Sequence, residues 1–145
     1  MSTTAKIITF GIVSGLIWSV IATGPELLNS VKDFILVLSA GTLTGLAVSL
    51  ILKVPLTKFG RWWTLVFGLI SLPLGAFIFG IVFSILNLSE WLNGSQYGIF
   101  NAVLIGGDFA LISVANLCAV YLFPLAIITT FLLRIVIHSA RKHSA

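Results

Sequence analysis

The stretch IFNAVLIGGDFALISVANLCAVYLFPLAIITTFLLRIVIH, residues 99–138, runs forty residues with one charged side chain, Asp108, ahead of Arg134. As a single α-helix it would be about 60 Å long. A bilayer hydrocarbon core is only about 30 Å thick and takes about 20 residues to cross. The stretch is therefore more than one span, and Gly106-Gly107-Asp108 is the natural place to divide it. Two glycines weaken helix preference, and aspartate is a favoured N-cap for a helix beginning at Phe109. The expectation is a last span over about 109–134. Residues 97–107 then form a short interfacial or re-entrant piece at the end of an outer loop, 89–107.

On a wheel of about 100° per residue, Asp108, Ala115, Asn116, Ala119, Ala126 and Thr130 share one arc of that helix. In lipid no hydrophobic drive holds helices together. Small residues that allow close approach, and polar residues that bond across helices, mark the packed face. Helix packing is thus the first reading of this stripe, and a solute or ion path the second.

The rest of the 145-residue chain is of the same kind, 59% hydrophobic and 8% charged. Soluble domains carry about a quarter charged residues. The composition implies an all-α integral membrane protein. Eight Lys and Arg against four acids would suggest nucleic acid in a soluble chain, but their placement follows a membrane rule instead, and no nucleic-acid partner is expected. The lone Cys118 excludes an internal disulfide, a paired-thiol centre and a multi-cysteine metal site.

In chain order, the first span is expected at about 7–24. Lys6, an apolar run and Ala22-Thr23-Gly24 imitate a signal-peptide cleavage region. We read the segment as a transmembrane helix whose end is marked by Pro25. The second span, about 34–53, is closed by Lys53 and Pro55. The two contain GIVSGLIWSV (residues 11–20) and GTLTGLAVSL (residues 41–50). These share glycines four apart and a serine one turn on: Gly11, Gly15 and Ser19, then Gly41, Gly45 and Ser49. Such stripes let two backbones approach closely. Because consecutive spans run in opposite directions, a true repeat would be an inverted one, as in transporters.

A basic segment holding Lys53, Lys58 and Arg61 leads into Trp62 and Trp63, where indole suits the headgroup level. The third span, about 62–88, has another small stripe, Ala76, Gly80 and Ser84. Pro73 in this span and Pro124 in the last are expected kink sites. The end of the chain, 135–145, is a basic tail. Arg134, His138, Arg141 and Lys142 sit at helical spacing, which predicts that the last helix continues beyond the membrane surface.

Seven of the eight Lys and Arg fall in the N-terminal segment, the second loop and the tail. Only Lys32 lies on the other side, together with all four acids, Glu26, Asp33, Glu90 and Asp108. The positive-inside rule works best on short segments such as these. The expected architecture is a four-helix bundle with both termini cytoplasmic, in a bacterial-type inner (plasma) membrane.

Catalytic patterns are missing. Both histidines, His138 and His143, lie in the tail, away from any buried nucleophile. H-E-x-x-H and phosphate-loop motifs do not occur. No enzyme activity, cofactor or metal is expected. The function expected is a non-catalytic membrane subunit, scaffold, regulator or immunity-type partner. It would act through helix packing on lipid and on another membrane protein or a second copy of itself. The alternative is a minimal oligomeric channel or transporter.

Overall fold

The computed structural model describes residues 3–23, 31–86, 99–115 and 119–142, all but four of them helical. The helices are α1 (Thr3–Thr23), α2 (Val31–Lys58), α3 (Trp63–Leu86), α4 (Ile99–Ala115) and α5 (Ala119–Lys142). Four are long and apolar enough to cross a membrane: α1, α2, α3 and, within α5, Tyr121–Ala140. The remaining helix, α4, is apolar but shorter, 17 residues or about 25 Å.

Two expectations change. The second helix does not stop at Lys53 but runs through Pro55 to Lys58. Proline removes one backbone donor, so only the carbonyl of Ile51 loses its usual partner, and Ile51 is on an exposed face. Helical bonding then resumes with Phe59 N–H donating to the Pro55 carbonyl at 2.9 Å. Gly106-Gly107-Asp108 is likewise not a helix boundary. It lies inside α4, so residues 99–107 belong to a helix rather than to a loop, and Asp108 caps nothing. A helix beginning at Phe109 and running to Arg134 is replaced by two, α4 and α5. The glycines are tolerated because Gly106 packs where no side chain would fit: a Cβ there would lie 2.7 Å from the Phe77 carbonyl oxygen.

The bundle is organised about two pairs, α1 with α2 and α3 with α4, while α5 lies against α3, α1 and α2. At one end Ile7, Leu52, Leu56, Leu133 and Ile137 from α1, α2 and α5 form a buried apolar cluster. Lys6, Lys53 and Arg134 belong to this same end of the chain path. Beside it Phe59, Trp63 and Phe67 pack ring against ring, with Phe59 5.5 Å from Trp63 and 5.7 Å from Phe67. Trp62 is exposed. The last helix reaches Lys142, which agrees with the helical spacing of its basic residues.

Candidate functional site

The small-residue stripes are the first features to locate. Gly11 and Gly15 of α1 face Gly41 and Gly45 of α2, and the helices run in opposite directions. A Cβ built on Gly15 would clash with the Gly41 carbonyl oxygen, and one on Gly11 would lie 2.9 Å from Leu46 Cα. Backbone touches backbone along this seam, the geometry for which glycine is required. The neighbours also obey a two-fold rule. Gly11 meets Gly45 and Ser49, Gly41 meets Gly15 and Ser19, and Gly15 meets Gly45. Exchanging each residue for its counterpart thirty positions away leaves this set unchanged. The sequence repeat therefore has a spatial counterpart, with its axis passing near Gly15 and Gly45.

The stripe on α3 is longer than Ala76, Gly80 and Ser84. Extended backwards in steps of four it includes Leu72, Gly68 and Thr64, and all but Ala76 are buried. Each step of four advances about 40° around a helix, so the stripe winds through about half a turn. Its two ends accordingly meet different partners. A Cβ on Gly80 would lie 2.8 Å from Gly106 Cα in α4, and one on Gly68 would lie 2.8 Å from Ile127 Cα in α5. Phe79 and Phe109 add a ring contact at 6.0 Å on the α4 side.

Among the described residues, three side chains of α5 make polar contacts to other parts of the bundle. Trp18 Nε1–H donates to Thr129 Oγ1 at 3.2 Å, and Thr130 Oγ1 lies 3.4 Å from Ser71 Oγ, its hydrogen donated at 2.8 Å to the Ala126 carbonyl. Arg134 is the third and strongest. Its guanidinium donates to the Gly60 carbonyl at 2.9 Å and to Thr64 Oγ1 at 2.7 Å. Arg134, read from sequence as a topology-setting charge, thus also ties α5 to the α2–α3 turn. Thr64 is fully buried, so loss of the guanidinium strands a hydroxyl. Arg134→Met is expected to lower stability by about 1.5–3 kcal/mol, the range for charged hydrogen bonds, read as thermal unfolding in detergent. Arg134→Lys should recover part of it. Equal stability of all three forms would assign the residue to charge balance alone.

The stripe expected on the last helix is divided. Ala126 and Thr130 are buried on α5, whereas Asp108 is exposed on α4. Asn116, and the side chains of Ala115, Ala119, Arg141 and Lys142, lie outside the described residues. Pro73 and Pro124 both stand inside continuous helices, Pro124 on an exposed face.

What sequence reading missed is the character of α4. Ala102 and Gly106 are buried on one side of it, while Leu104, Asp108 and Leu111 are exposed and share the opposite side. Leu111 is 71% exposed. The helix therefore presents a carboxylate in the middle of an apolar outward face. The signal was available in the steps of three and four that join Leu104, Asp108 and Leu111, but it is legible only when residues 99–115 are taken as one helix.

No family model, curated protein or solved structure matches this chain. Its function is therefore argued from these surfaces alone.

Proposed function

We propose that the chain is a multi-pass protein of a bacterial-type plasma membrane, with both termini cytoplasmic. It works without catalysis, as a subunit or regulator that binds another membrane protein, or a second copy of itself, through the outward face of α4. Four long apolar helices and the bias of Lys and Arg to one side support the placement. The observation that carries the function is Asp108. An ionisable residue on a membrane helix is costly and is ordinarily paired or turned inward. Here it points away from α3, among exposed Leu104, Leu111 and Ile112. A partner helix offering a cation or hydrogen-bond donors would satisfy it.

The glycine stripes support this choice of surface by elimination. Those of α1, α2 and α3 are used inside the bundle, so they are not free to receive a second chain. The test is extraction from the native membrane in mild detergent: the chain should leave in a particle larger than itself. Release as a single chain would remove the reading.

The channel or transporter reading keeps one observation of its own, the two-fold α1–α2 pair, since inverted repeats build transporter sites. Flux through protein-containing liposomes, against empty ones, decides it.

A further inference from the structure

We propose that the groove between α1 and α5 holds an acyl chain of an anionic phospholipid, with the lipid phosphate on Lys6. The inference rests on the membrane placement argued above but not on the partner at α4. Two cavities lie between these helices, about 450 Å³ and about 240 Å³. Phe10 and Val13 line both, so the two follow one another along the α1–α5 seam. The larger opens among Lys6, Thr9 and Ser139. The smaller ends at Trp18 and Thr129, whose hydrogen bond ties the two helices together there.

Length and charge select the occupant. From Lys6 to Trp18 is about 18 Å along a helix, close to the depth of one leaflet of a hydrocarbon core about 30 Å thick. The wall is apolar throughout, apart from hydroxyls and the lysine at the mouth. The described acids stand elsewhere. Asp33 is in the first turn of α2, the end away from Leu52 and Leu56, which pack with Ile7. Asp108 is two residues from Gly106, which meets α3 at Gly80, sixteen residues from the Thr64 end. The mouth instead carries the positive charge of Lys6. A basic recess between helices at the cytoplasmic side is suited to an anionic headgroup. A zwitterionic lipid could also bring its phosphate to Lys6, but its choline cation would offset most of the gain.

Trp18 makes the proposal measurable, because bromine on an acyl chain quenches indole only at close range. The protein would carry Trp62→Phe, Trp63→Phe and Trp91→Phe, leaving Trp18 as the sole tryptophan, excited selectively over the two tyrosines. It is placed in phosphatidylcholine vesicles containing the same small fraction of chain-brominated phosphatidylglycerol or chain-brominated phosphatidylcholine. Quenching by the anionic lipid should be about fivefold more effective, the factor expected for one lysine at a membrane surface. Lys6→Gln should make the two lipids equal, and Lys6→Arg should keep the preference. Equal quenching by both lipids in the parent protein would overturn the proposal, as would a preference that survives Lys6→Gln. Trp18 shielded from both lipids would also overturn it, because protein would then fill the groove.

Discussion

Gly15→Leu is expected to part α1 from α2 and to cost more than about 3 kcal/mol, the upper part of the range for overpacked cores. The Cβ alone would clash with the Gly41 carbonyl oxygen and lie 3.1 Å from Gly45 Cα. Both obstacles are backbone, so no rotamer change can clear them. Even Gly15→Ala should destabilise, although alanine ordinarily improves a helix by about 1 kcal/mol over glycine. Gly107→Ala supplies the contrast, since a Cβ there meets nothing within 4 Å; it should be neutral or stabilising. Leu43→Ala, on an exposed position of α2, should change little. Thermal unfolding in detergent measures all four. Because the seam is two-fold, Gly45→Leu should match Gly15→Leu in size. Wild-type stability in Gly15→Leu would mean that α1 and α2 do not meet through these glycines.

The second large effect is on association rather than on the fold. Asp108→Leu should leave the isolated chain as stable as before, because the side chain is exposed and inside a helix rather than at its cap. It should nevertheless release the chain from its complex. Breaking a buried charge pair costs about 3–5 kcal/mol, which is a hundredfold or more in affinity. Asp108→Asn retains hydrogen-bonding capacity and should fall between the two. Particle size after mild extraction reads the association, and thermal unfolding reads the fold. An unstable but fully associated Asp108→Leu chain would reverse the assignment and return Asp108 to a structural role.

The sequence and the structure agree most closely where the signal is periodic. The apolar runs of α1, α2 and α3 are long, and their small residues four apart announce close contact before any partner is known. Which stripe meets which is not written in the stripes themselves. The step of four winds around α3, so that one pattern serves α4 at Gly80 and α5 at Gly68. Residues 106–108 mislead for a related reason. Locally they spell a helix start, but the glycine that looks like a breaker is a contact surface, and packing on Gly80 overrides propensity. Pro55 misleads likewise, since a proline near a helix end removes a single bond. The Arg134–Thr64 tie spans seventy residues and has no local signature at all.

The central claim, that the outward face of α4 is covered by protein, is tested most directly by a photoreactive side chain placed at Leu111 in the native membrane. Ile51 on α2, half exposed, is the control position. Illumination at position 111 should give a cross-linked protein of discrete mass, with position 51 giving lipid adducts only. Lipid adducts alone from both positions would contradict the claim and leave α4 facing the bilayer.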